Sequence, residues 1–161
     1  MNGTITDSVL KDLVKALLSP NTEVIARAEQ QTDALKKGAL EIRSQYIVGL
    51  LHILRNGMLE NDSEKQMDIV LLISAVFPDK DKEKGRYWNE LPNDAKELLK
   101  NELINFINEE QSKLVIRIVV SLIGEIAEVT LPTGQWNSLF PFMFQSTQSK
   151  EVFYFYILIA F

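Results

Sequence analysis

Cysteine is absent from the 161 residues. That removes disulfides, thiolate metal sites and cysteine nucleophiles together, and it fits a reducing compartment. Histidine occurs once, as His52, so a zinc site would need several carboxylates gathered by the fold, and no metal is expected. Seven glycines and five prolines punctuate the chain, which favours long uninterrupted helices over many short strands. Positive charge is in the minority, with 17 Lys and Arg against 22 Asp and Glu and a net charge of −5. No basic stripe is present to neutralise phosphates, so nucleic acid is not an expected partner. An acidic surface fits a basic protein partner, and it also serves solubility. The longest apolar run, Val152 to Phe161, is about half of the roughly 20 residues that cross a bilayer. The opening MNGTITDSVLKDL lacks the basic-then-apolar order of a secretory signal. No membrane association is expected. There is also no Gly-x-Gly-x-x-Gly or Gly-Lys-Ser/Thr phosphate loop, so no nucleotide cofactor is implied.

What the sequence does have is helical periodicity. Hydrophobic residues make up 46% and charged residues 24%, ordinary globular usage. Val9, Leu10, Leu13, Val14, Leu17 and Leu18 recur at three- and four-residue steps and predict a first helix, capped by Thr6 or Asp7. Ser19-Pro20 ends it and is expected to start the second, with Ser19 as cap and Pro20 at the first helical position. That second helix carries Val24, Ala28, Gln31 and Leu35 and stops at Lys37-Gly38. A third covers about Glu41 to Asn56, and a fourth Glu64 to Phe77 after Asn61-Asp62-Ser63. Pro78 to Arg86 is mixed in charge, lacks an apolar anchor, and reads as a solvated loop. A fifth helix follows Leu91-Pro92-Asn93-Asp94, and a sixth runs from Ser112 to Val129. A seventh is expected near Gly134-Gln135 and an eighth near Ser149.

The helices come in pairs, and the pairs repeat. Second helices of successive pairs start near Asn21, Asp62, Ser112 and Ser149, at intervals of 41, 50 and 37 residues. Treating residues 78–86 as an insertion brings the long interval to 41. Two-helix periods of about 40–47 residues indicate HEAT or armadillo architecture. The expected fold is therefore all-α: an α-solenoid of about four HEAT repeats, antiparallel helix pairs stacked in a right-handed superhelix. The closing VFYFYILIAF has no polar cap, whereas terminal repeats normally present a polar outer face. The expectation is that residues 1–161 are the N-terminal segment of a longer protein, cut within the fourth repeat. Phe153, Tyr154, Phe155 and Tyr156 would then pack against a following repeat.

Several segments resemble the importin-β (karyopherin-β) family, and specifically its importin beta-three branch. Leu13 to Leu35, LVKALLSPNTEVIARAEQQTDAL, looks like the family's opening repeat. EKQMDIVLL at Glu64 to Leu72 is similar to the second repeat's B helix. Trp88 to Pro92, with Lys100-Asn101-Glu102-Leu103 and the helix to Ile107, resembles the start of the third. IRIVVSLIGEIA at Ile116 to Ala127 follows the B-helix pattern, and Gly134-Gln135-Trp136 with Leu139 and Phe140 resembles the start of the fourth. The chain departs from the family where Ile73 and Ser74 replace two basic residues, and where Ile25 replaces an arginine.

The resemblance implies a nuclear transport receptor that shuttles between cytoplasm and nucleus. It would bind cargo proteins with basic localisation signals, pass nucleoporin Phe-Gly repeats, and release cargo when the small GTPase Ran binds in its GTP form. The family's B helices line the concave face of its arch. Glu23 and Arg27, Lys65 and Asp68, and Lys113 and Arg117 are spaced by three or four residues on three B helices, so each pair shares a helical face. They are the expected Ran-binding residues, with Val24, Ala28, Ile69, Val70, Ile118 and Leu122 packing inward. Ordinary salt bridging between repeats is the competing reading for Lys65, Asp68, Lys113 and Arg117. No catalytic constellation stands out. Glu109-Glu110 and the pair Glu125 and Glu128 read as solvated helix faces, and His52 as a surface or packing histidine. The chain is read as a binding scaffold and not an enzyme, the alternative being a HEAT scaffold subunit of a phosphatase or chromosome-associated assembly.

Overall fold

The computed structural model describes residues 5–78 and 85–149. Among them are eight α-helices, a single 3-10 turn and no strand. Helix α1 (Asp7–Leu17) is capped by Thr6, whose hydroxyl accepts from the Val9 amide. Helix α2 (Thr22–Lys37) does not start at Ser19-Pro20. Its cap is Asn21, whose side-chain oxygen accepts from the amides of Glu23 and Val24 at 2.9 and 3.4 Å. Ser19 instead accepts from the Asn21 amide, one step outside the helix. Helix α3 (Leu40–Arg55) is followed by Gly57 at φ +65°, a left-handed turn that suits glycine. Helix α4 (Asp62–Val76) is capped by Asn61, while the Glu64 carboxylate reaches back to the Glu60 amide at 2.8 Å.

Downstream, the structure corrects two boundaries. Arg86, expected in the loop, opens the short helix α5 (Arg86–Glu90), which Trp88 anchors by stacking on Phe77 with ring centroids 6.5 Å apart. Helices α6 (Asn93–Glu109) and α7 (Lys113–Thr130) follow nearly as expected, α7 capped by Ser112. The next helix, α8, begins at Leu139 rather than near Gly134-Gln135. Gly134, at φ +67°, closes the 3-10 turn Leu131–Thr133 and directs Trp136 into the core. Helix α8 still continues at Ser149, where a further helix was expected to begin. That helix, the aromatic run from Phe153 to Tyr156, and residues 79–84 of the charged loop lie outside the described residues.

Short connections turn α1 onto α2, α3 onto α4 and α6 onto α7. Across the pairs, α1 packs on α3 and α3 on α6, while α2 packs on α4 and α4 on α7. The result is the two-layer stack of an α-solenoid, in which each pair buries its apolar faces against its neighbours. The shared core holds Leu10, Ile47, Leu50, Ile69, Leu72, Leu99, Leu103, Val119 and Leu122, all fully inaccessible. Each such side chain contributes about 1.5–3 kcal/mol by leaving water. The two ends of the second layer differ sharply: α7 buries nine residues, whereas α2 buries only Ala28 and Thr32.

Candidate protein-binding faces

Each of the two layers presents one candidate face, the layer of α1, α3 and α6 being called outer and that of α2, α4 and α7 inner. On the inner layer, Glu23 and Arg27 stand exposed on α2 as a 3.8 Å pair one turn apart. Lys113 and Arg117 are exposed on the first turns of α7. Beside them, Val24 and Leu114 are exposed three residues before Arg27 and Arg117, and Val70 is exposed on α4. Val24 and Val70 therefore do not pack inward as expected, while Ala28, Ile69 and Leu122 do and Ile118 is half-buried. Helix α2 docks too lightly to cover Val24, and α4 carries more apolar residues than its neighbours can enclose.

Lys65 and Asp68 part company. Lys65 donates to Glu110 at 2.6 Å, the carboxylate being 8% exposed. Beside this bond, the Ser112 hydroxyl donates to Asp62. Together the two contacts latch the start of α4 to the start of α7, so the salt-bridging reading describes Lys65. Asp68 is a correction to the expected face, because it is completely buried. Apolar residues surround it on α4, and the packing of α2, α3 and α7 against that helix leaves Asp68 inside. Neither of its oxygens has a hydrogen-bond partner among the described residues, nor does the buried hydroxyl of Tyr46. Burial raises the Asp68 carboxyl well above the usual carboxylate range. It also holds the Tyr46 phenol far above its ordinary value, with the Asp68 and Asp33 charges adding to that effect.

The outer layer carries a groove of about 330 Å³ between α3 and α6. Val48 and Leu51 of α3 and Leu98 of α6 supply its apolar lining, and His52, Arg55, Asn56 and Glu102 its polar lining. Arg55 ties the two helices together, donating to Glu102 at 2.7 Å and to Glu109 at 2.8 Å. Glu109 is held below the usual glutamate range chiefly by that guanidinium. His52, without a partner visible in sequence, stands 3.0 Å from Asp7 across α1 and α3. Single-sequence periodicity missed this groove because its residues come from two helices, Arg55 and Glu102 being 47 positions apart. Arg43 forms a further clamp, bonding Glu90 at 2.7 Å and lying 4.2 Å over the Tyr87 ring, which fixes α5.

These arrangements suit binding. Glu23, Arg27, Lys113 and Arg117 are exposed, Arg55 and Lys65 are latched between helix pairs, and no group of three or more His, Asp or Glu is gathered for a metal among the described residues. No helix among them is long and apolar enough to cross a membrane. The chain is 25% identical over 142 residues to the probable importin subunit beta-4 of Schizosaccharomyces pombe. The match takes in 88% of this chain and 12% of that protein, so the chain spans about an eighth of its relative's length. No family profile matches the sequence, and the search of solved structures found no match to the chain.

Proposed function

We propose that this chain is part of a nuclear transport receptor of the importin-β type, in its importin beta-three branch, and that it acts by binding. The supporting observation is the likeness to an importin beta subunit along 88% of the chain, joined to a stack of helix pairs in two layers. In this reading the inner face receives Ran in its GTP form. Glu23, Arg27, Lys113 and Arg117 steer and select that partner, while Val24, Val70 and Leu114 supply apolar contact. Lys65 supports the face from its latch to Glu110. The net charge of −5 favours cargo with basic localisation signals. On the outer side, the apolar lining of the α3–α6 groove suits the phenyl ring of a nucleoporin Phe-Gly segment. The receptor would shuttle between cytoplasm and nucleus, with small rotations between repeats coupling Ran to cargo.

Calorimetric titration with Ran in both nucleotide states tests this. Arg27→Glu with Arg117→Glu is expected to weaken binding of the GTP form by about 1–3 kcal/mol, with the helical circular dichroism unchanged. Unaltered binding by the folded double variant removes these residues from the site. Equal affinity for the two nucleotide forms overturns the receptor reading and leaves the scaffold alternative.

A further inference from the structure

Among the described residues, Asp68 presents a buried carboxyl with no hydrogen-bond partner. Asp68 on α4 and Tyr46 on α3 are both fully inaccessible, and the carboxyl and the phenol are both unpartnered among the described residues. Tyr46 lies on α3, which packs on both α2 and α4, and α2 also touches α4, so the three helices meet in one junction. A polar group taken from water without a replacement bond is strongly destabilised, and an ionised one far more so. Helix α2 closes one side of this junction, and it packs far more on α1 and α3 than on α4. Helix α2 contributes two small buried residues, Ala28 and Thr32, and the Thr32 hydroxyl is spent on the Glu29 carbonyl of its own helix. The other side of α4 is closed by α7 with nine buried residues and by the Lys65–Glu110 and Ser112–Asp62 bonds.

We propose that α2 is a movable cover: the seam between α2 and α4 opens as a unit while α4 and α7 stay latched, and opening hydrates Asp68 and releases its proton to solvent. The driving contrast is that closure keeps two polar groups dry and unpaired, whereas the open state lets water bond to both. The charged surroundings do not supply an alternative cause. On α4 itself, Glu64 is engaged with the Glu60 amide and Lys65 with Glu110. On α2, Asp33 is held by Lys36 and Lys37, and on α7 the cations Lys113 and Arg117 are exposed. From α3 come the Tyr46 phenol and Arg43, whose guanidinium is bonded to Glu90 of α5, as is that of Arg86, and from α1 Lys11 and Lys15 are bonded to Glu60. Burial raises the closed-state carboxyl above the ordinary value of 3.8 that it regains when open. Stability of the closed seam is thus full below that ordinary value and declines as pH rises from there toward the closed-state value. Across that window opening grows about tenfold per pH unit, the consequence of one proton released.

Hydrogen exchange of the intact chain, corrected for intrinsic rates and read by peptide mass spectrometry from pH 4 upward, tests the idea. Peptides of α2 are expected to lose protection by about tenfold per unit in the lower part of the range, while peptides of α4 and α7 keep theirs. In Asp68→Asn, which cannot ionise, the slope on α2 should vanish. Asp68→Leu serves the same purpose should the asparagine variant fail to fold, and it should protect α2 at every pH. Protection of α2 that is flat with pH in the unaltered chain overturns the proposal. So does a slope that survives in either folded variant, or loss of protection in α2, α4 and α7 together.

Discussion

A methyl group placed on Gly49, in the middle of α3, would meet the Cδ1 of Leu10 on α1 at 2.5 Å. Carbon atoms rest about 3.5–4.0 Å apart, so roughly an ångström of overlap must be relieved. Leu10 is fully buried and cannot swing into solvent. Two effects oppose each other in Gly49→Ala. Alanine is favoured over glycine in a helix by about 1 kcal/mol, and overpacking costs about 1–3 kcal/mol. The single variant should therefore lose about 0–2 kcal/mol, a range too close to zero to be decisive. The coupling is decisive. Leu10→Ala alone leaves a cavity and should lose about 2–5 kcal/mol. In that background the overlap is gone, so adding Gly49→Ala should recover about 1 kcal/mol. The double-mutant cycle is then expected to show about 1–3 kcal/mol of favourable coupling. Urea unfolding of all four proteins, with a common slope, measures it. Additivity within about 0.5 kcal/mol would show that Gly49 and Leu10 are not packed against each other.

Three further outcomes follow from single sites. Trp88→Ala should lose about 3–5 kcal/mol by emptying its site on Phe77, whereas Trp88→Phe should lose much less, since the indole N–H has no partner among the described residues; denaturant midpoints compare them. Tyr46→Phe removes an unbonded buried hydroxyl and should be neutral or stabilising by about 1 kcal/mol in thermal unfolding; a loss of more than about 2 kcal/mol would refute the account of that hydroxyl as unbonded. Burial pushes Glu110 up, but bonds from Lys65 and from the amides of Ser112 and Gln111 outweigh it and leave it below its ordinary value of 4.5. A depressed carboxylate stabilises the fold above that ordinary value and ceases to do so as pH falls through its folded value. Acid titration monitored by circular dichroism should accordingly show a shallower loss of stability below pH 4.5 in Glu110→Gln than in the unaltered chain.

Local chemistry written along the chain determined the helices and their pairing. The three- and four-residue spacing of Leu10, Leu13 and Val14, and the caps at Thr6, Asn61 and Ser112, act within a turn or two and need no partner. They therefore predict helix pairs, the repeat period and the all-α class from sequence alone. Where two local signals compete, as Ser19-Pro20 and Asn21 do at the start of α2, the choice falls to whichever side chain reaches the first amides. Helix α5 is five residues long, too short to form on its own propensity, and it exists because Trp88 finds Phe77.

Tertiary structure alone decided which charges face water. Around Asp68, the run Met67, Ile69, Val70, Leu71, Leu72 and Ile73 is apolar on nearly every side of α4, so periodicity could not say which direction was out. Packing of α2, α3 and α7 settled it, burying Asp68 and leaving Val70 exposed. The same holds for the groove at Arg55 and Glu102 and for the latch at Lys65 and Glu110, whose partners lie 47 and 45 residues apart. A contact across that separation is set by how one repeat rests on the next, and no short-range pattern encodes it.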